Sequence, residues 1–311
     1  MPRSRASEPG RPEVQEVSDG IYAYIQPDGT WWINNAGFLV GPQGVVSVDS
    51  CATEQRTRAY LAAIAGVTPL PVRTLINTHH HGDHTFGNYL FATATIVAHE
   101  RTRAEALAFG PPVAMPFWDP VDWGECRLDP PFLTYTDQVT LHVGQLRCEV
   151  RYVGSPAHTT NDSIVWVPER SVLFAGDLIF NGGTPFLLMG SITGAIEVLQ
   201  TVLRPLGAAI VVPGHGPVCD SSLIDITLEY LHFVQRAART GRDTGLSPLE
   251  AARQADLGHF AGWHDTERIV GNLVRAYAEL DGAERGAPVD VIAAMAGMVA
   301  YNGGRPLTCH A

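Results

Sequence analysis

Thr78-His79-His80-His81-Gly82-Asp83-His84 is the stretch on which the reading of this chain turns. It follows Val72-Arg73-Thr74-Leu75-Ile76-Asn77, a β-branched and apolar run that predicts a strand leading straight into His79. His79 and His81 lie two residues apart, so in an extended segment both imidazoles face the same side. Asp83 and His84 follow the turn at Gly82 and can face a second point nearby. Four hard-to-borderline donors this close together suit zinc, with iron or manganese as alternatives. An accidental histidine run in an exposed loop is the bland alternative. The fixed aspartate and the strand end, where α/β proteins place their sites, favour a metal.

Two ions need more donors than this segment holds, and three further candidates stand at strand ends. His158 lies in Gly154-Ser155-Pro156-Ala157-His158-Thr159, between predicted strands. Asp177 closes the run SVLFAGD, and His215 lies in Pro213-Gly214-His215-Gly216-Pro217, just past a strand. Glycines on both sides of His215 let the backbone approach closely. Each residue alone is a weak signal, and their conjunction is what points to a metal centre. His80 reads as a supporting or surface residue. His99, His142, His232, His259, His264 and His310 have no ligand partners in the sequence.

In order and approximate spacing, His79-x-His81-x-Asp83-His84, His158, Asp177 and His215 resemble the motif series of the metallo-β-lactamase superfamily. Asp49 resembles its first motif, a carboxylate behind the ligands. The likeness covers roughly residues 14–220. It implies an α/β fold, an αββα sandwich with the metals at one edge of the two sheets. It also implies two Zn2+ ions, one held by His79, His81 and His158, the other by Asp83, His84 and His215, with Asp177 bridging. Water shared by two such cations ionises near neutral pH, so the expected chemistry is hydroxide attack on a carbonyl. Asp83 would be the catalytic group, orienting the nucleophile and passing a proton to the leaving group. No G-x-S-x-G elbow and no lysine-bearing phosphate loop offers another mechanism. Asp177 stands where β-lactamases of the commonest type have cysteine, which argues against that activity.

Outward from the motifs, the chain divides into a Pro-rich arm read as disordered (residues 1–13), a core (14–220) and a helical C-terminal extension (221–311) packed on it. Residues 53–65 predict a helix, and IYAYI, AGFLV, VVSVDS, TLHVGQLRCEVRYV, SIVWV, SVLFAGD and AAIVVP predict strands. In the extension, one helix is expected from Ser221 to about Arg239. Ser247-Pro248-Leu249-Glu250 starts another, with Ser as N-cap, Pro in the first turn and Glu closing a capping box. Two more are expected at roughly 265–280 and 288–300.

The chain has 311 residues and a formal net charge of −11. It shows no basic cluster beyond the Arg3/Arg5/Arg11 tail, so nucleic acid and anionic membranes are not expected partners. No run of about 18 apolar residues would cross a membrane. The start has no apolar signal region, and five scattered cysteines predict reduced thiols in a cytoplasmic protein.

Residues 109–131, with Pro111, Pro112, Pro116, Pro120 and Pro130 among Phe117, Trp118 and Trp123, predict a packed loop over a cavity. Trp31, Trp32, Phe117, Trp118 and Phe180 are the candidate substrate-binding residues of a flat apolar pocket, with Trp123 and Phe186 beside them. Core packing is the competing reading of these rings. The segments PFWDPVDWGE, AGDLIFNGGTPFLLMGS and AYNGGRPLTC resemble second-ring cyclase/thioesterase enzymes of actinobacterial aromatic polyketide biosynthesis. That resemblance implies ring closure, hydrolytic release or both on a polyketide bound to an acyl carrier protein. Arg101, Arg103 and Arg127 are basic residues that could meet an acidic carrier, or simply solvated arginines. A hydrolase of a small ester or lactone and a non-catalytic metal-binding relative are the alternatives. The oligomeric state is not legible.

Overall fold

A computed structural model describes residues 10–113 and 116–311. The short β-branched runs pair in sequence order. Strands β1 (Glu13–Ser18), β2 (Ile21–Ile25), β3 (Ala36–Gly41), β4 (Gly44–Val48), β5 (Val72–Ile76), β6 (Thr95–His99) and β7 (Leu133–Tyr135) form one sheet in that order. The first four are antiparallel, and β4 through β7 run parallel. Helix α1 (Glu54–Val67) crosses from β4 to β5, the short α2 (Gly82–Thr85) lies between β5 and β6, and α3 (Glu100–Phe109) crosses from β6 to β7. The second sheet contains β8 (Gln138–Val143), β9 (Leu146–Tyr152), β10 (Ser163–Val167), β11 (Val172–Phe180) and β12 (Ile210–His215), ordered β12-β11-β10-β9-β8. Its one parallel pair, β11 with β12, is crossed by α4 (Ile192–Val198).

Each sheet buries both faces. Between them, Ile21, Leu39, Val48 and Ile76 of the first meet Val150, Val165, Phe174 and Val212 of the second. On the outer face of the first sheet, Tyr60 and Ile64 of α1 pack on Phe38 and Leu75. On the outer face of the second, Ile164, Leu173 and Ala175 share one apolar cluster with α4 and with α5 (Leu223–Asp243), α6 (Pro248–Gln254), α7 (Arg268–Leu280) and α8 (Val291–Tyr301). The result is an αββα sandwich whose C-terminal helices complete one outer layer. Side chains such as Leu231, Ile269 and Leu273 are buried there, each contributing about 1.5–3 kcal/mol. Ser247 and Glu250 form the capping box read from the sequence.

Several boundaries differ from expectation. β1 begins at Glu13, inside the expected arm, of which residues 1–9 lie outside the described residues. β11 runs past Asp177 to Phe180, because Leu178, Ile179 and Phe180 are apolar and buried. β12 carries on through His215 instead of ending before it. The sequence reading has no helix at α4, whose start is fixed by the Ser191 hydroxyl accepting from Gly194 N at 2.9 Å. Among the described residues, no helix is long and apolar enough to cross a membrane, and all five cysteines are free thiols.

Candidate metal centre

The chemistry-bearing residues gather where β4, β5, β11 and β12 end at one edge of the sandwich. Past β5 the chain does not stay extended, as expected from sequence, but bends through Thr78, His79 and His80, then winds from His81 into α2, which carries Asp83 and His84. Asp177 projects from β11, His215 ends its parallel neighbour β12, and His158 comes from the loop between β9 and β10. Two donor groups result, His79, His81, His158 and Asp177, and Asp83, His84, His215 and Asp177, with all donor atoms in each within 4.8 Å of one another. Asp177 belongs to both. Its Oδ1 is 3.0 Å from His84 Nε2, and its Oδ2 is 3.3 Å from both His158 Nε2 and His215 Nε2. Asp83 Oδ2 is 3.3 Å from His215 Nε2, and His81 Nδ1 is 2.8 Å from His158 Nε2. So the seven residues singled out by sequence are brought together.

Close approach is built into the backbone here. A Cβ at Gly214 would lie 2.0 Å from Asp177 Oδ1, so any side chain at that position would displace the shared carboxylate.

Behind the cluster, the outer ring nitrogens of His79, His84, His158 and His215 are tied down. His84 Nδ1 donates to Asp49 Oδ2 at 2.8 Å, and Asp49 also accepts from Thr78 N and Thr78 Oγ1, each at 2.8 Å. With its hydroxyl proton given to Asp49, Thr78 Oγ1 accepts from His79 Nδ1 at 3.0 Å. His215 Nδ1 donates to Gly29 O at 3.1 Å, and His158 Nδ1 donates to Phe186 O. These bonds hold each Nδ1 outward and each Nε2 inward, so that Nε2 would be the metal-facing lone pair once its ring is neutral. His79 Nε2 and His81 Nε2 are sealed from solvent without a hydrogen-bond partner among the described residues, and His84 Nε2 has only the Asp177 carboxylate beside it. Orphaned polar atoms of this kind cost about 1–3 kcal/mol each, and a divalent cation would satisfy them. The donor set fits a dinuclear metal centre.

The charges agree. Burial and the surrounding imidazoles hold His79 and His81 well below the usual histidine range. Burial opposes protonation of His84, but Asp177, Asp49 and Asp83 hold it well above that range. His215 is pushed up to about 9, against its burial, by Asp177 and Asp83. Asp177 stays well below the usual carboxylate range despite burial, because His215, His84 and His158 surround it.

A cavity of about 820 Å³, counted out to its mouth, opens on these donors. Trp31, Trp32, Phe117, Trp118 and Phe180 all line it, as do Phe109 and Phe186. Phe180 belongs to strand β11 and not to a loop, yet its ring still reaches the cavity and lies against His215. A second trough of about 1010 Å³ shares the wall of Trp32, Phe109 and Trp118 and includes Trp123. Sequence reasoning missed the far side of the cavity, where α7 supplies Arg268 and α8 supplies Val291, Ile292 and Met295. No motif marks these residues. His80 is buried, with its Nδ1 3.0 Å from the Asn161 amide, and burial pushes it down to about 4. Arg101 contacts the Tyr152 hydroxyl, Arg103 the Pro131 carbonyl and Arg127 the Tyr89 ring, and none lines the cavity.

Two packed sheets with a histidine–carboxylate cluster at one edge define a class of metal-binding αββα protein. Residues 29–215 match the family model of the metallo-β-lactamase superfamily, and the chain belongs to that superfamily. It is 26% identical over 234 residues to the metallo-β-lactamase type 2 of Bacillus cereus, covering 72% of this chain and 84% of that protein. It is 30% identical over 188 residues to a 2,4-dinitroanisole O-demethylase subunit alpha of Nocardioides, covering 58% of this chain and 48% of that protein. It is 26% identical over 189 residues to the hydroxyacylglutathione hydrolase of Rhodospirillum rubrum, covering 60% of this chain and 64% of that protein. Among solved structures, a metallo-β-lactamase from Pontibacter korlensis superposes with a TM-score of 0.60 at 22% identity, over 71% of this chain and 99% of that one. That likeness shows the fold.

Proposed function

We propose that this metallo-β-lactamase superfamily hydrolase is a dizinc enzyme acting on a thioester, releasing or cyclising an aromatic polyketide bound to an acyl carrier protein. Two closed donor sets beneath one aromatic-walled cavity carry this proposal. His79, His81 and His158 would hold one ion, Asp83, His84 and His215 the other, and Asp177 both. Imidazole and carboxylate donors suit zinc, and they also accept iron or manganese. Two such ions supply Lewis acidity toward a carbonyl oxygen and a water acidic enough to ionise near neutral pH.

The chain's own residues do the rest. Asp83, 8% exposed, borders the cavity and is the carboxylate placed to orient a water and return its proton to the leaving thiolate. In hydrolysis the acyl C–S bond breaks, a C–O bond forms and the thiol takes the proton. In ring closure a substrate carbon gives up its proton and attacks a carbonyl, whose oxygen takes a proton in turn. Trp31, Trp32, Phe117, Trp118 and Phe180 would hold the flat apolar body and exclude water. The hydroxyacylglutathione hydrolase relative is named for cleavage of an acylated thiol, which supports a thioester substrate.

Mass spectrometry of products from a zinc-loaded sample and an aromatic polyketide thioester mimic tests the proposal, with Asp83→Asn alongside. Free acid or a cyclised, dehydrated product from the wild type is expected, falling about 10²–10⁴-fold in the variant while much of the metal stays bound. No conversion with the metal in place rejects the polyketide substrate and points to lactones and simple esters.

A further inference from the structure

The cavity has one cationic wall. Among its described lining residues, Arg268 is the single Arg or Lys. It opens α7, beyond the residues 29–215 matched by the family model, and is only 2% exposed. Its Nη1 donates to Thr184 O at 2.9 Å, and its Nη2 lies 2.8 Å from Asp265 Oδ2. The guanidinium carbon sits 4.1 Å from the Trp31 ring centre and 5.3 Å from that of Phe180. Phe180 in turn stacks on His215, with centroids 4.8 Å apart and planes 7° apart. One phenyl ring thus joins this cation to a metal-facing imidazole.

The support around Arg268 is itself fixed. His264 N donates to Gly182 O and Thr184 N to His264 O, stitching the segment before α7 to the loop after β11. Trp31 Nε1 donates to Glu267 Oε1 at 2.7 Å, which locks the ring beneath the guanidinium. Burying a charge in an apolar wall costs several kcal/mol unless it is paired. Here one carboxylate, one carbonyl and two aromatic faces offset that cost. They do not exhaust the group. A guanidinium carries five N–H donors; Nη1 and Nη2 make one contact each and so keep a second N–H apiece, while the unpartnered Nε is sealed from solvent.

Resting on the function proposed above, we infer that Arg268 is a specificity-determining residue. It reads an electron-rich oxygen, phenolic or enolic, on the far part of a flat aromatic substrate whose carbonyl end faces the metal donors. Trp31 and Phe180 hold the guanidinium in place, and its unused donors discriminate an oxygenated ring from a bare one.

Calorimetric binding of product-like acids to the zinc-loaded protein tests this without turnover. The probes are 2-naphthoate and its 5-, 6- and 7-hydroxy derivatives, whose common carboxylate occupies the metal end. At least one hydroxy isomer is expected to bind about 10-fold or more tighter than 2-naphthoate, as a hydrogen bond to a charged group allows. In Arg268→Gln that preference should shrink to within about 2-fold of none, at unchanged metal content. If the Gln variant does not fold, Arg268→Lys keeps the charge, loses the planar fork and should still lose most of the preference. Equal binding of all four acids by the wild type, or a preference that survives in the variant, overturns the inference. A wild type that shows the preference yet converts no thioester rejects the proposed reaction and leaves the role of Arg268 standing.

Discussion

Asp49 Oδ2 lies 2.8 Å from His84 Nδ1, on the side of the imidazole away from the metal-facing Nε2. The same carboxylate takes two hydrogen bonds from Thr78, which in turn accepts from His79. One buried aspartate therefore sets ring orientation in both donor groups. Asp49→Asn puts an amide where three donors converge, and it should weaken zinc binding about 10–100-fold. A competition titration against a chromophoric chelator measures this, and wild-type affinity in the variant would remove Asp49 from the account.

Zinc uptake should release protons. In the metal-free protein, against burial, Asp177 and Asp83 push His215 up to about 9, and Asp177, Asp49 and Asp83 hold His84 well above the usual histidine range, which favours the protonated form of both at neutral pH. His79 and His81, held well below that range, have no proton to lose. Because a ligand must shed its proton to bind, apparent affinity should rise with pH through neutrality. The rise should become shallower as pH passes about 9, where His215 gives up its proton, with His84 still contributing. Calorimetry at pH 7 in buffers of different ionisation enthalpy should show release of up to about two protons per protein. Release of none contradicts the assignment of these two imidazoles.

Gly214 is the tightest point of the centre. Its missing Cβ leaves room for Asp177 Oδ1, which would otherwise lie 2.0 Å away. Gly214→Ala must move that carboxylate or the backbone of β12, at a cost of about 1–3 kcal/mol. Metal stoichiometry measured by plasma mass spectrometry should fall below that of the wild type. A variant that binds metal normally would show that Asp177 need not sit where it does.

The cavity roof depends on the chain's last residues. Leu307, 0% exposed, donates its N–H to Phe117 O at 2.7 Å and accepts from Asp119 N at 2.9 Å, pinning the loop that carries Trp118. Leu307→Ala should cost about 2–5 kcal/mol of stability. It should also raise KM for an aromatic substrate while leaving metal content alone. Thermal melts and steady-state kinetics separate the two effects, and an unchanged KM would show that the two backbone hydrogen bonds, which alanine keeps, hold the loop without the Leu307 side chain.

The donors were legible because sequence pattern marks a strand close by each, although β11 runs on past Asp177 to Phe180, and because His79, His81, Asp83 and His84 are crowded into one short segment. Strand ends converge at one edge of such a sandwich, so local spacing already foreshadowed the cluster. The Ser247–Glu250 capping box was legible for the same reason, since its interactions are local. Arg268 was not. A lone arginine at a helix start looks like any solvated surface residue until tertiary packing places it between Trp31 and Phe180. The α8 residues on the cavity wall and the Leu307 pin depend likewise on contacts between distant segments, which no local pattern encodes. α4 escaped because it is a single short segment begun by one serine cap. The run after Asp177 was cut short because a buried strand and an apolar loop read alike from sequence alone.

Zinc titration into chelator-stripped protein, following bound metal and hydrolysis of an aromatic thioester on the same samples, decides whether this chain is a dinuclear hydrolase. Hydrolysis should be absent without metal and climb to a plateau at about two equivalents, the number the two donor groups sharing Asp177 can hold. Hydrolysis undiminished after stripping, or no zinc retained at these residues, would contradict that assignment.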